Sequence, residues 1–247
     1  MDRERKLPKQ FFDWMGVLLA VSLFALSALG GGAAQTEAGA VPARTDGGAV
    51  RLIVVDAGHG GADGGAVGAS GIKEAGINLS VARLVESGLR EAGFEVVLTR
   101  AGPDAIGPDK RADMQKRREI MRQDGVAAVV SIHMNKFGDT SIHGPMAFYM
   151  KGSAEGEALA TSVITAVCEK IENPKRPANP GDYFVLRESI APAVIIECGF
   201  LSNPTDEAKL QELAHQKQLA AGIVAGVAAY FAAKDSGPAI KTIGAAA

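Results

Sequence analysis

The sequence Leu-Ile-Val-Val-Asp-Ala-Gly-His-Gly-Gly occupies residues 52–61. Its four leading apolar residues predict a buried strand, and the polar and glycine residues after them predict a loop at the end of that strand. Two further apolar runs, residues 126–132 and 194–196, also end in an ionisable side chain, His133 and Glu197 respectively. Longer helical patterns separate these runs, and this alternation predicts an α/β domain.

The remaining elements follow from the same periodicity. We expect strands at residues 52–55, 94–98, 126–132, 145–150, 183–186 and 194–196, and helices at residues 77–92, 109–123, 154–171 and 205–231. The run at 126–132 is continuous in Val and Ala, as is typical of a strand buried on both faces.

The strand endings predict a ligand site. In open α/β sheets, ligands bind beyond the carboxyl ends of the strands, so His59, His133 and Glu197 are expected to converge there. A carboxylate directly after an apolar strand is costly to bury unless it is paired or bound to a metal. Two imidazoles and one carboxylate would hold a catalytic zinc ion, with Glu74 or Asp56 as the third ligand.

Each of these residues also has a purely structural interpretation. His59 would be a loop histidine, His133 a hydrogen-bonded core histidine and Glu74 an acid favoured by a helix N-terminus. The compact H-E-x-x-H motif is absent, and the intervals between the candidates are long.

Composition excludes several other classes of protein. The 247 residues are 47% hydrophobic, and 26 Lys and Arg balance 28 Asp and Glu, so the chain is neither disordered nor generally basic. The basic segment within residues 109–123 also carries acids and is expected to be a solvated helix face, so no nucleic acid partner is predicted. The glycine-rich loop fails the G-x-G-x-x-G test, and no G-x-S-x-G motif occurs. Cys168 and Cys198 are too few for a disulfide framework.

The chain divides into four predicted segments. Residues 1–30 combine a basic start with an apolar stretch and predict a membrane anchor or signal segment, which sends the rest of the chain out of the cytoplasm. Residues 31–50 are expected to be a flexible linker, residues 51–234 the folded catalytic domain, and residues 235–247 a flexible tail.

Several blocks of sequence, in order, resemble the zinc-dependent N-acetylmuramoyl-L-alanine amidases of the type 3 class. They are Val54-Val-Asp-Ala-Gly-His-Gly-Gly61, Glu74 with Asn78-Leu79, Leu98-Thr-Arg100, Ser131-Ile-His-Met-Asn135 and Ile196-Glu-Cys-Gly-Phe-Leu-Ser-Asn203. Within that family the chain is most similar to spore-cortex amidases of the CwlD type, because it is short, begins with a hydrophobic segment and carries Tyr183-Phe-Val-Leu-Arg187. It departs from the family pattern at Ala57, Ala75 and Met134, none of which would remove a ligand.

The resemblance implies a three-layer sandwich with a mostly parallel mixed β-sheet flanked by helices. It also implies that His59, Glu74 and His133 bind Zn²⁺ and that Glu197 is the catalytic carboxylate. Arg187 and Asn135 are expected to contact substrate, while His143 is expected to be a surface residue.

The implied reaction is hydrolysis of the amide between the lactyl group of N-acetylmuramic acid and L-alanine in peptidoglycan. A cortex enzyme would act outside the cytoplasm, in the forespore intermembrane space, and would pass its product to a muramic acid deacetylase for muramic-δ-lactam formation. Two alternatives stay open: a non-catalytic peptidoglycan-binding or regulatory protein with the same fold, and a zinc peptidase that cuts within the stem peptide.

Overall fold

The computed structural model describes residues 50–236 of the chain. Its strands are β1 (Leu52–Ala57), β2 (Glu95–Leu98), β3 (Val126–Asn135), β4 (Met146–Met150), β5 (Ala178–Gly181) and β6 (Ala193–Phe200). Its helices are α1 (Glu74–Glu91), α2 (Lys110–Met121), α3 (Ala154–Lys170), α4 (Phe184–Glu188), α5 (Pro204–Leu210) and α6 (Leu213–Ser236). The predicted anchor or signal segment, residues 1–30, lies outside the described residues, as do residues 31–49 of the predicted linker and residues 237–247 of the predicted tail. Residues 235 and 236, predicted as tail, belong to α6.

The strands form one mixed sheet in the order β2-β1-β3-β6-β4-β5. The pairs β1–β2, β1–β3, β3–β6 and β4–β5 are parallel, and only β4–β6 is antiparallel among the described strands. Since β1, β3 and β6 are adjacent and parallel, their carboxyl ends lie side by side. The predicted mostly parallel sheet is therefore confirmed, and its geometry brings the three polar strand endings to one edge.

Helices cover both faces of the sheet. Alternate strand residues, such as Val55, Ile132 and Ile196, pack with the buried sides of α1, α3 and α6 in the larger hydrophobic cluster. The residues between them, such as Val129 and Ile195, pack with α2 and α4 on the second face. This is the three-layer sandwich that the sequence predicted, and strand alternation places His133 and Glu197 on the second face.

The packing of α3 on α6 depends on two glycines. A Cβ atom added to Gly226 would lie 2.4 Å from the Cα atom of Val163, and one added to Gly222 would lie 2.6 Å from the Cα atom of Val167. Both contacts are to backbone atoms, which cannot be relieved by a change of rotamer. The glycines therefore allow the two helices to approach each other closely.

We expect Gly226→Ala to lower the free energy of unfolding by about 1–3 kcal/mol, since overpacking costs more than the better helix propensity of alanine returns. Gly76→Ala is the matched control, because no heavy atom lies within 4 Å of a Cβ atom added to that helical glycine. It should leave stability unchanged or raise it by up to about 1 kcal/mol. Urea unfolding of the three proteins measures both effects, and equal stability of the two variants would contradict this account of the packing.

One element was predicted wrongly. Residues 183–186 are not a strand: Tyr183 is extended, and Phe184–Glu188 form the single-turn helix α4. Val185 and Leu186 are both buried, a pattern that a strand covered on both faces and a helical turn share, so burial alone could not distinguish them. The strand of this region is β5 instead, whose Pro180 is tolerated because β5 is an edge strand.

The C-terminal helical region is interrupted. Residues 204–210 form α5, which Asn203 caps by accepting hydrogen bonds from the backbone N–H groups of Thr205 and Asp206, and α6 begins at Leu213. By length and composition α6 could cross a membrane, and it is the one such helix among residues 50–236. Its buried residues include Leu219, Ile223 and Val227, so it packs as a core helix.

Candidate metal centre

Three side chains meet at the carboxyl ends of β1 and β3. His59 lies in the loop directly after β1, His133 lies near the end of β3, and Glu74 is the first residue of α1. One ligand atom from each residue lies within 4.8 Å of the other two, and no other group of three such residues occurs between residues 50 and 236. The structure thus brings together the three residues predicted as metal ligands.

The Glu74 carboxylate lies between the two imidazole rings. Its Oε1 atom is 2.9 Å from Nδ1 of His133 and 3.3 Å from Nε2 of His59. The two rings are nearly perpendicular, with centroids 5.0 Å apart. Glu74 is 3% exposed, and its position is fixed by hydrogen bonds from the Ala66 N–H to Oε2 (2.8 Å) and from Nδ2 of Asn78 to Oε1 (3.1 Å).

Two glycines make room for this cluster. A Cβ atom on Gly58 would lie 2.2 Å from Cε1 of His133. Gly65 has φ of 67°, and a Cβ atom there would lie 2.4 Å from Oε2 of Glu74. Any larger residue at either position would push a candidate ligand away.

The charges in the cluster stabilise one another. Burial alone would raise the pKa of Glu74, but hydrogen bonds from His133 and His59 hold that pKa well below its usual range. Conversely, hydrogen bonding to Glu74 raises the pKa of His59 despite its partial burial. Glu74 is therefore ionised, and two imidazole nitrogens are directed towards the same anionic oxygen.

This donor set fits a divalent cation. Two neutral imidazoles and one carboxylate supply the borderline nitrogen and hard oxygen atoms that Zn²⁺ binds, and three protein ligands leave a coordination position open. The buried carboxylate and the space preserved by the two glycines are the features of the structure on which this fit rests.

A second carboxylate lies behind one of the rings. Oδ1 of Asp63 is 2.9 Å from Nδ1 of His59, on the opposite side of the ring from Glu74, and Oδ2 of Asp63 is paired with Lys110. This contact has the distance of an ion pair but not the geometry of a hydrogen bond, and the charge of Asp63 adds to the effect of Glu74 in raising the pKa of His59. The sequence analysis missed Asp63, although its spacing of four residues from His59 within the glycine-rich loop was a usable signal.

Glu197 lies next to the cluster but is not part of it. It is in register with His133 on the neighbouring strand, and one of its carboxylate oxygens, Oε2, is buried without a hydrogen-bond partner. Burial raises its pKa to about 7, with His133 lowering this pKa and the charge of Glu74 raising it further. A carboxylate with a pKa near neutrality is suited to accept and return a proton.

The raised pKa of Glu197 predicts a pH-dependent cost in stability. Between its ordinary pKa of 4.5 and about 7, the folded metal-free chain holds a proton that the unfolded chain releases, so the contribution of Glu197 to stability falls as pH rises through this window. We expect Glu197→Gln to stabilise the metal-free protein by about 1–3 kcal/mol at pH 8 and to have little effect at pH 4. Urea unfolding in the presence of a chelator at both pH values measures this. A difference between the two proteins that does not change with pH would contradict it.

Asp56, the alternative third ligand, is not part of the cluster. It is 1% exposed, and it accepts hydrogen bonds from Arg117 (2.6 Å), Thr99 (2.8 Å) and Ser131 (2.6 Å). Burial would raise the pKa of Asp56, but the Arg117 guanidinium keeps it below its usual value. Asp56 therefore forms a buried ion pair with Arg117 and is not available as a metal ligand.

The remaining candidate residues lie outside the cluster. Asn135 ends β3, and its Oδ1 atom accepts a hydrogen bond from the Lys136 N–H. Arg187 lies on α4 with its side chain 47% exposed and paired with Asp182 at 2.5 Å.

Two other residues considered in the sequence lie away from the metal centre. His143 lines a separate cleft with His215, and Cys198 is buried on the sheet face opposite Glu197.

Comparison with known proteins identifies what this arrangement is similar to. Residues 53–229 match the family model Amidase_3, described as N-acetylmuramoyl-L-alanine amidase. The chain is 31% identical over 197 residues to the germination-specific N-acetylmuramoyl-L-alanine amidase of Bacillus subtilis (strain 168), an alignment that covers 76% of this chain and 83% of that protein.

Solved structures agree with this match. The CwlD amidase from Clostridioides difficile, solved in complex with the GerS lipoprotein, superposes with a TM-score of 0.71 at 27% identity, covering 74% of this chain and 99% of that one. The catalytic domain of CwlV, an N-acetylmuramoyl-L-alanine amidase from Bacillus (Paenibacillus) polymyxa var. colistinus, gives a TM-score of 0.68 at 32% identity, covering 74% and 99%.

Proposed function

Because this chain belongs to the N-acetylmuramoyl-L-alanine amidase family, and is thus a peptidoglycan amidase, we propose that it works as a zinc enzyme with His59, Glu74 and His133 as ligands. The observation that carries the proposal is that one ligand atom from each of two imidazoles and one from a buried carboxylate meet at a single point in the fold. Bound zinc would lower the pKa of water to about 7 and polarise the scissile carbonyl.

Glu197 is the proposed general base and acid. Its carboxylate takes the proton of the attacking water and returns it to the nitrogen of L-alanine as the amide breaks. Two features support this role: the position in register with His133 and the oxygen without a partner. In the metal-free chain burial also raises the pKa of Glu197 to about 7, and the charge of a bound cation would lower that value. General acid–base catalysis of this kind contributes about 10²- to 10⁴-fold to the rate.

Asn135 and Arg187 are the proposed substrate contacts. Asn135 follows His133 by two residues on β3, so it lies at the same edge of the sheet. To bind substrate, Arg187 would have to leave Asp182 and pair with a carboxylate or carbonyl of the stem peptide. Because the Arg187–Asp182 ion pair is exposed, breaking it costs little free energy.

The experiment that tests this function combines metal analysis with product identification. Purified protein should contain one zinc per chain by atomic absorption, and digestion of intact sacculi should release free L-alanine N-termini. New amino groups on other stem-peptide residues would indicate a peptidase instead. Protein without zinc and without released L-alanine termini would favour a non-catalytic peptidoglycan-binding protein.

We also propose a role in the spore cortex. The similarity to a germination-specific amidase and to a CwlD amidase supports this role, as does the predicted export of the chain by residues 1–30, either anchored in the membrane or secreted. In this role the product would pass to a muramic acid deacetylase. Expression in a Bacillus subtilis strain that lacks its germination-specific amidase should restore muramic-δ-lactam to the cortex, and unchanged cortex composition would refute the cortex role alone.

A further inference from the structure

The carbonyl groups of three successive residues that lead into the metal centre all accept hydrogen bonds from two buried guanidinium groups. The Ala57 carbonyl accepts from Nε of Arg100 and Nη1 of Arg117, both at 2.9 Å. The Gly58 carbonyl accepts from Nη2 of Arg100 at 3.0 Å, and the His59 carbonyl accepts from Nη2 of Arg117 at 2.6 Å. No step of the proposed reaction uses either arginine.

Arg117 is held in place by two acids. Its Nη1 atom is 2.6 Å from Asp56, and its Nε atom is 2.7 Å from Asp113. The side chain is 2% exposed and remains charged, because these acids keep its pKa high despite burial. A fully buried arginine with every nitrogen engaged has one orientation, so the carbonyls that it binds have one position.

Arg100 joins the segments that carry two of the three ligands. Its Nη2 atom donates to the Gly58 carbonyl and also, at 2.7 Å, to the Ala75 carbonyl. Gly58 precedes His59, and Ala75 follows Glu74. A single nitrogen thus joins the His59 segment to the Glu74 segment, and the hydrogen bonds of Nε and Nη1 to the carbonyls of Ala57 and Gly102 hold the guanidinium in place.

The backbone at His59 needs such support. His59 has φ of 62°, a left-handed conformation that is uncommon and costs a non-glycine residue about 1–3 kcal/mol. A residue in this region keeps its conformation only where neighbouring groups hold it. The Arg117 hydrogen bond to the His59 carbonyl acts directly on this peptide.

We propose that Arg100 and Arg117 are positioning residues that set the metal affinity of the centre by fixing the His59 peptide against the start of α1. The inference rests on the proposed zinc site. Loss of a supporting partner of a metal ligand typically costs 10- to 100-fold in metal affinity, so each arginine should contribute an effect of that size.

The test uses Arg100→Lys and Arg117→Lys in the full-length chain. Lysine keeps the charge, but it has only three N–H donors, all on one nitrogen, so it cannot bond at once to the four oxygen atoms that each guanidinium holds. Zinc affinity is measured by competition with a chromophoric chelator, and we expect the dissociation constant to rise about 10- to 100-fold in each variant. The absorption spectrum of the cobalt(II)-substituted protein should also change, because it reports the ligand geometry directly.

Two control variants separate positioning from general stability. Arg90→Lys is the matched substitution, because Arg90 also donates to a backbone carbonyl, that of Val96 at 2.9 Å, but contacts neither a ligand segment nor the backbone next to Arg100. Leu219→Ala removes a buried side chain of α6 on the other face of the sheet and lowers stability by about 2–5 kcal/mol. Both should keep the wild-type zinc affinity and cobalt spectrum.

The outcomes are distinguishable. Wild-type affinity and spectrum in Arg100→Lys would overturn the positioning role, as would an equal loss of affinity in Leu219→Ala. If Arg117→Lys does not fold, Arg100→Lys decides the question. If the wild-type protein binds no zinc, the proposed metal centre itself is refuted. If the wild-type protein binds zinc and both arginine variants bind it equally tightly, only the positioning role is refuted.

Discussion

Replacing Glu197 by glutamine is expected to lower kcat for the release of L-alanine termini by about 10²- to 10⁴-fold, while one zinc per chain is retained. Glutamine has almost the same shape but cannot take a proton from water at neutral pH. Zinc should stay because Glu197 is not part of the cluster formed by His59, Glu74 and His133. The measurement is steady-state hydrolysis of a muramoyl-peptide at saturating substrate, with zinc content determined on the same sample.

The control for this variant is Glu207→Gln. Glu207 is also a buried glutamate, but its carboxylate accepts hydrogen bonds from Ser70 and does not belong to the metal cluster. Its variant should keep kcat within a few-fold of wild type. Full activity of Glu197→Gln would remove the general base from the mechanism, and loss of zinc from that variant would instead make Glu197 a fourth ligand.

Replacing His133 by alanine is expected to abolish both zinc binding and amidase activity. The substitution removes one of the three candidate ligands, and it leaves Glu74 without the nearer of its two imidazole partners, at 2.9 Å. A ligand loss of this kind leaves no stoichiometric metal after dialysis, and activity should then fall to the level of wild-type protein treated with a chelator. Atomic absorption and the sacculus assay measure the two losses.

His215→Ala is the matched control for this substitution, because His215 is also partly buried but lines the separate cleft with His143. It should bind zinc and cleave sacculi as the wild type does. Added zinc should restore the chelated wild-type protein but not His133→Ala. An active, zinc-containing His133→Ala protein would exclude the three-ligand centre.

Much of the fold could be predicted because it depends on local periodicity. The runs that end at Asp56, His133 and Glu197 are buried strands, and the rule that parallel strands end at one edge of a sheet was sufficient to predict a shared site. The error at residues 183–186 arose because four residues are too few to distinguish a strand from a helical turn when both leave apolar residues buried.

The choice between Glu74 and Asp56 could not be made from spacing. It depends on Arg117, which lies 61 residues from Asp56 and pairs with it in the interior. The same applies to Arg117, since a basic helix that faces solvent and a basic helix with one buried arginine have similar sequences. It applies also to Arg100, whose carbonyl partners lie in segments up to 43 residues away. Contacts between distant segments of the chain decide these points, and no local pattern reports them.

The pairing of His133 with Glu197 in adjacent strands limits how this enzyme can be altered. Their separation is set by the interstrand spacing of the sheet, about 4.8 Å, and not by any loop. Surface segments around the metal centre can therefore be shortened, exchanged or grafted from other amidases to change which muramoyl-peptides are hydrolysed. A slip of one residue between β3 and β6 would turn the carboxylate to the wrong side of the sheet, so an engineer should leave these two strands unmodified.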